Sequence, residues 1–244
     1  MTRLQRLPRA AAVERGLDYF FDDSAAQHAV DFFHDYLRHS KGKWAGEPFR
    51  LLDWQRVDII EELFGWLRVK NGFRRYRLGY IEVPKKNGKS TLLSGIGTYL
   101  LAADGEPGAE VYGAAVDRNQ ASIVYNEAAE CVRRSPLLAA DLEVVPSRRT
   151  IAYKAAASFY RVLSADAIRS EGLNIHGLLF DELHAQKNRR LWDALRYGGS
   201  SREQPLLLAI TTAGYDRNSI CWEQHAYAER VLADWTVDPT FFAY

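Results

Sequence analysis

Apolar positions in the first part of the chain recur at helical spacing. Ala26, Val30, Phe33 and Leu37 mark one amphipathic helix, which Asp23 or Ser24 can cap. A polar linker over 40–48 follows. Over 51–69, Trp54, Val57, Ile60, Leu63, Phe64 and Leu67 form a broad apolar stripe that predicts a second helix, closed by Asn71-Gly72. Beyond residue 75 the pattern switches to short β-rich runs alternating with helical ones. Strands are expected over 76–83, 110–115, 158–164, 175–180 and 206–211, and helices over 90–103, 118–133, 192–197 and 220–232. Two short runs within 142–153, joined by Pro146-Ser147, read as a hairpin at a sheet edge, and 240–244 is β-like again. Strands alternating with helices predict an α/β fold with a mostly parallel sheet flanked by helices, preceded by a helical extension. No internal repeat and no low-complexity stretch interrupts it.

Ligands of such sheets bind at the carboxyl ends of the strands, so the residues that follow each strand carry the candidate chemistry. After the first strand comes Pro84-Lys85-Lys86-Asn87-Gly88-Lys89-Ser90-Thr91, leading into a helix. That context suits a phosphate loop: backbone N–H groups and a helix N-terminus face a polyanion, Lys89 reaches the terminal phosphates, and the Ser90 hydroxyl can sit on magnesium. Val83 stands where the usual pattern has its first glycine, and the plain alternative is a lysine-rich surface turn. Lys85 and Lys86 beside Lys89 argue for an anion, because three adjacent cations repel one another unless a multiply charged group occupies the loop. The apolar run 175–180 ends in Asp181-Glu182. In a nucleotide hydrolase of this type the first carboxylate holds the magnesium shell and the second accepts a proton from the attacking water. The alternative is two acidic residues favouring a following helix dipole. The loop and the acidic pair in this order together favour ATP hydrolysis.

Three accessory features accompany the pair. The strand over 206–211 ends in Thr211-Thr212-Ala213-Gly214, where hydroxyls could sense the γ-phosphate, although Thr is also an ordinary strand residue. Gln55 can donate and accept at an adenine edge, or simply lie solvated on its helix. Arg118, Arg148, Arg149 and Arg169 are candidates for a guanidinium that stabilises transition-state charge in trans, with Arg169 favoured because its polar loop leads into the acidic strand.

Composition narrows the classes. The 244 residues carry 32 Lys and Arg against 31 Asp and Glu, a net charge of +1, so bulk basicity is excluded and any nucleic-acid contact must be local. Arg74-Arg75-Tyr76-Arg77, Arg133-Arg134 and Arg148-Arg149 are the candidates for it. Hydrophobic residues make up 47% and mean hydropathy is −0.30, with no run long enough to span a membrane and no secretory signal at the N-terminus. Cys131 and Cys221 show no metal or disulfide spacing, which favours a reducing compartment. His176 and His184 have no metal spacing and are expected to bond locally.

The order of Trp54-Gln55, Val83-Pro84-Lys85-Lys86-Asn87-Gly88-Lys89-Ser90, Leu173-Asn174, Phe180-Asp181-Glu182-Leu183-His184-Ala185 and Thr211-Thr212-Ala213-Gly214 resembles the large terminase subunit of tailed bacteriophages over about residues 45 to 244. The family's phosphate loop lacks the first glycine and carries an extra basic residue, matched here by Lys85. The resemblance implies a P-loop NTPase fold of the ASCE type over 46–244, an N-terminal helical extension over 1–45, and an ATP- and Mg2+-dependent motor that drives double-stranded DNA into a capsid. It implies catalytic roles for Glu182, Lys85 and Arg169, with Arg169 as the trans arginine. It implies nucleotide binding by Gln55 and by Pro84, Lys85, Lys86, Asn87, Gly88, Lys89, Ser90 and Thr91, metal binding by Ser90 and Asp181, and coupling through Thr211, Thr212 and Ala213. Implied partners are the portal protein, the small terminase subunit and further copies in a ring; the implied setting is the host cytoplasm, docked transiently on the procapsid. The family's RNase H-like nuclease domain, which needs a cluster of acidic metal ligands on its own sheet, is expected to be absent, because no room for it remains before Tyr244. Two other readings remain: another P-loop translocase or helicase, marked by strand separation without portal or capsid, and a docking module that hydrolyses nothing.

Overall fold

The computed structural model describes residues 4–163 and 172–244. Its N-terminal part holds helix α1 (Arg9–Glu14), strand β1 (Tyr19–Phe21) and helix α2 (Asp23–Tyr36). The cap of α2 is Asp22, one residue before the expected position, and its carboxylate accepts from the Ser24 and Ala25 backbone N–H groups. The helix expected over 51–69 is shorter and compound. A π-helical stretch, Gln55–Ile60, runs into α3 (Glu61–Gly65), and the chain then turns extended as β2 (Trp66–Arg68), antiparallel to β1. Gly65 explains the break: a Cβ there would stand 2.6 Å from the Phe21 ring, so only glycine lets β1 cross so closely, and its carbonyl accepts from Asp22 N–H at 2.8 Å. Asn71-Gly72 therefore forms the turn after β2, not a helix end, with Gly72 at φ +73°.

The rest is an eight-stranded sheet with helices on both faces. Its elements are β3 (Leu78–Glu82), α4 (Lys89–Ala102), β4 (Glu110–Ala114), α5 (Arg118–Arg134), α6 (Pro136–Asp141), β5 (Leu142–Val145), β6 (Thr150–Tyr153), β7 (Ser158–Val162), β8 (Ile175–Asp181), α7 (Arg190–Leu195), β9 (Leu206–Thr211), α8 (Ile220–Ala233) and β10 (Phe241–Ala243). The strand order is β10-β3-β9-β8-β4-β7-β6-β5, parallel from β10 to β7 and antiparallel through the β5–β6–β7 meander. The expected hairpin is thus at the sheet edge. Because both faces are covered, the central strands are continuous apolar runs without alternation: all seven residues of β8 and all six of β9 are buried. Alternate residues still divide between two cores. Ile81, Leu179, Leu206, Leu208 and Ile210 pack with α2, α3, α4 and α5, whereas Tyr80, Leu178, Phe180, Leu207 and Ala209 pack with α7 and α8.

Two arginines read as possible DNA contacts are structural. Arg74 is buried and its Nη1 donates to Asp104 Oδ1 at 2.7 Å, while His176 Nε2 lies 2.8 Å from the other carboxylate oxygen. Arg75 is buried among the rings of Tyr19, Trp66, Tyr76 and Trp235, each within 5.6 Å. Arg133 is partly exposed but paired with Glu130. Both cysteines are buried and free, and no described helix is long and apolar enough to cross a membrane.

Helix α4 is seated under α2 through Gly95, where a Cβ would meet Phe33 Cε1 at 2.4 Å and Leu37 Cδ1 at 2.9 Å. Helix propensity alone favours Gly95→Ala by about 1 kcal/mol, but overpacking costs about 1–3 kcal/mol. With a ring and a branched chain both inside contact distance, overpacking should win and lower stability by about 1–2 kcal/mol in urea denaturation. A stabilised variant would show that α2 is not clamped on α4.

Candidate functional site

The parallel registers bring three strand ends side by side. Glu82 of β3 is opposite Thr211 of β9, and Asp181 of β8 is opposite Ile210 of β9. Val83 N–H donates to Thr211 O at 3.0 Å and Glu182 N–H to Ile210 O at 2.9 Å, so the pairing continues beyond the strands. Strand β9 thereby separates the loop strand from the acidic strand by one sheet position, the arrangement of ASCE-type P-loop folds.

The loop after β3 turns through two left-handed residues, Lys86 at φ +69° and Gly88 at φ +72°, and α4 begins at Lys89. Asn87 Nδ2 donates to Pro84 O at 3.2 Å and holds the turn. Pro84, Lys85, Lys86, Asn87 and Gly88 are exposed, and neither Lys85 nor Lys86 makes an ion pair among the described residues. Lys89 is buried; its Nζ donates to Val83 O at 3.5 Å and Pro84 O at 3.4 Å and lies 3.8 Å from Glu182 Oε1. Ser90 and Thr91 lie half-buried on the first turn of α4. The α4 N-terminus adds its unpaired N–H groups and dipole to this cationic loop.

Asp181 ends β8 at 1% exposure, and neither carboxylate oxygen has a hydrogen-bond partner among the described residues. Burial, and secondly the Glu182 charge, push its carboxyl up to about 6, while the Lys89 ammonium draws it down. The Gln120 amide on α5 acts from outside hydrogen-bond geometry and offsets this least. A buried carboxylate without a donor calls for a cation. Mg2+ keeps several waters and takes only one or two protein oxygens besides substrate phosphates, so one carboxylate and the Ser90 hydroxyl fit it. Among the described residues no group of three or more His, Cys, Asp and Glu residues is placed to hold a metal ion.

Glu182 has a left-handed backbone, φ +52°, which turns the chain back over β9 in the 3-10 turn Leu183–Ala185. Its carboxylate is 3.8 Å from Lys89 and 3.1 Å from His184 Nδ1. Thr211 is fully buried at the end of β9; its Oγ1 donates to Thr212 O at 2.9 Å and lies 3.0 Å from His184 Nδ1. Ala213 follows, exposed.

Beside the loop opens a cleft of about 620 Å³, walled by Trp44, Phe49, Gln55, Gly88 and Thr91. Gln55 is buried: its Oε1 accepts from Leu52 N–H at 3.0 Å, and a Cβ added at Gly88 would stand 3.7 Å from its Nε2. The solvated alternative for Gln55 is thereby excluded.

The structure thus brings Lys89, Asp181, Glu182, Thr211 and Thr212 together at three strand ends and places Gln55 on the cleft alongside. Arg169 lies outside the described residues. Two residues on the cleft wall, Trp44 and Phe49, were not singled out from sequence; His184 was expected only to bond locally, and its ring lies beside Glu182, Thr211 and Thr212.

A family model, terminase large subunit, ATPase domain, matches residues 53–230. The chain belongs to that family. Its members are ATP-hydrolysing enzymes, and the expected P-loop fold and terminase kinship are both confirmed. The large terminase subunit of Enterobacteria phage HK97 is 26% identical over 189 residues, covering 76% of this chain and 36% of the relative. The crystal structure of the HK97 large terminase superposes with a TM-score of 0.74 at 21% identity, over 90% of this chain and 43% of that one. The large terminase ATPase domain of Thermus phage P74-26 superposes at 0.50 with 20% identity, over 70% and 74% of the two chains. The chain therefore spans well under half the length of the HK97 relatives.

The raised Asp181 carboxyl has a stability consequence for this terminase ATPase domain. A buried carboxylate whose folded value lies above its unfolded one favours folding fully at low pH and loses that contribution as pH rises through the folded value. In EDTA, going from about pH 4.5 to about pH 8 should shift the stability difference between wild type and Asp181→Asn by roughly 2 kcal/mol in favour of the variant. Denaturation midpoints measured at both pH values check this; a constant difference would show that the carboxylate is not desolvated.

Proposed function

We propose that this domain hydrolyses ATP with Mg2+ and couples turnover to movement of double-stranded DNA into a capsid. The single observation carrying the reading is the juxtaposition of an exposed cationic loop, a buried lysine and a partnerless buried carboxylate at neighbouring strand ends. In it, residues 46–244 form the ATPase domain and residues 1–45 an N-terminal helical extension.

Lys89 is the phosphate ligand. Its ammonium, now on two carbonyls and near Glu182, exchanges these weak contacts for the terminal phosphates, joined by loop N–H groups from Lys85 to Ser90. Lys85 and Lys86 supply further positive charge from the rim, with Lys85 stabilising charge on the transferring phosphoryl group. Asp181 and Ser90 would hold Mg2+, which when bound would supply positive charge that offsets the charge developing on the transferring phosphoryl group. Glu182, freed from Lys89 as that ammonium moves to phosphate, orients the attacking water and accepts its proton. Gln55 presents its Nε2 to the base in the cleft, with Oε1 retaining a second lone pair for the exocyclic amine. Thr211, Thr212 and Ala213 pass the change at the γ-phosphate to β9. Arg169 is retained as the trans arginine. The packaging assembly would comprise a ring of these subunits on the portal, with the small terminase subunit, in the host cytoplasm and at the procapsid. The family match and the HK97 likeness support this reading.

Glu182→Gln should keep Mg·ATP binding, read by fluorescent nucleotide titration, and lose about 100-fold or more in turnover. Lys89→Ala should lose the binding itself. Wild-type turnover in either variant, at a protein concentration where the parent is active, would refute the assignment.

A further inference from the structure

We propose that His184 is a positioning residue that ties the Glu182 carboxylate to the end of β9, one ring nitrogen standing beside the acid while it hydrogen-bonds the coupling strand. The proposal rests on the reading of Glu182 as the water-activating base. It follows from counting protons. A threonine hydroxyl has one hydrogen, and that of Thr211 is committed to Thr212 O at 2.9 Å. Toward His184, Thr211 Oγ1 can therefore only accept. It already accepts from the His184 backbone N–H at 3.2 Å, and the ring Nδ1 stands 3.0 Å away. That contact is favourable only if Nδ1 carries hydrogen. The same Nδ1 lies 3.1 Å from Glu182 Oε2, within ion-pair distance though outside hydrogen-bond geometry, which leaves that oxygen without a hydrogen-bond partner among the described residues, and 3.3 Å from Thr212 Oγ1.

Nδ1 thus makes its hydrogen bond to a hydroxyl at the end of β9 and stands within 3.1 Å of an otherwise unpartnered carboxylate oxygen just after β8. The left-handed backbone of Glu182 and the 3-10 turn after it are what return His184 to this position, so a strained conformation is spent on the contact. Glu182 is gripped from two sides: Lys89 draws it toward the loop and His184 holds it toward β9. When Lys89 moves to phosphate, only the histidine grip remains. As Glu182 swings to the water it leaves the side of Nδ1, whose bond to Thr211 stays, and the position of the carboxylate is thereby registered beside β9. His184 touches neither substrate nor metal in this scheme.

The test is steady-state ATP turnover of the chain with double-stranded DNA, comparing His184→Ala, His184→Asn and Glu182→Gln. Asparagine places an N–H donor close to the Nδ1 position; alanine removes it. His184→Ala should lower kcat about 10- to 100-fold with KM for ATP within about 2-fold, because a misplaced base loses rate and not ground-state binding. His184→Asn should recover to within about 3-fold of the parent. Unchanged kcat in the alanine variant, a loss carried by KM, or an asparagine variant as slow as alanine would overturn the proposal. If Glu182→Gln also turns over normally, the failure lies with the reading of Glu182 instead. A second readout needs no turnover: imidazole 15N shifts, with the signal assigned by its loss in His184→Ala, should show hydrogen on Nδ1. The opposite tautomer would contradict the hydrogen count.

Discussion

The site is organised by the burial of one carboxylate. Strand β8 is apolar and covered on both faces along its whole length, and it delivers Asp181 to the sheet's carboxyl edge with neither oxygen satisfied among the described residues. An unpaired buried charge is among the costliest features a fold can carry. Its surroundings address that cost only in part, through Lys89 across the β9 position and the positive end of α4. On the proposed reading a cation offsets what remains, and the loop that would bring phosphate would bring the second half of its shell.

The fold makes that arrangement repeatable by register. With β9 seated between β3 and β8, Glu182 N–H pairs with Ile210 O and Val83 N–H with Thr211 O. Loop, acid and threonines therefore stand on one continuous hydrogen-bonded edge. The N-terminal helices contribute at a distance. Gly65 lets β1 approach, Gly95 lets α2 sit on α4, and the π-helical stretch begins at Gln55, buried facing Gly88. In this way the extension shapes the cleft without entering the phosphate site.

Much of this was legible in the residues alone. Strands β3, β4, β8 and β9 were readable because fully buried parallel strands are unbroken apolar runs, and the loop and acidic pair because their chemistry allows few substitutes. The end of the second helix was not. The stripe through Leu67 runs on as if helical, and the stop at Gly65 depends on the Phe21 ring, forty-odd residues away in sequence. Arg74 and Arg75 looked like a basic surface because a charged pair carries no local sign of an ion-pair partner at Asp104 or of four surrounding rings. His184 was expected only to bond locally for the same reason: its partners, Thr211 and Thr212, belong to another strand.

The central claim, that Asp181 and Ser90 form half of a metal shell completed by nucleotide, is tested most directly by Mn2+ electron paramagnetic resonance as a stand-in for Mg2+. Bound Mn2+ should appear only when nucleotide triphosphate is present, and should be lost in Asp181→Asn and weakened in Ser90→Ala. Undiminished Mn2+ binding in Asp181→Asn would contradict the account.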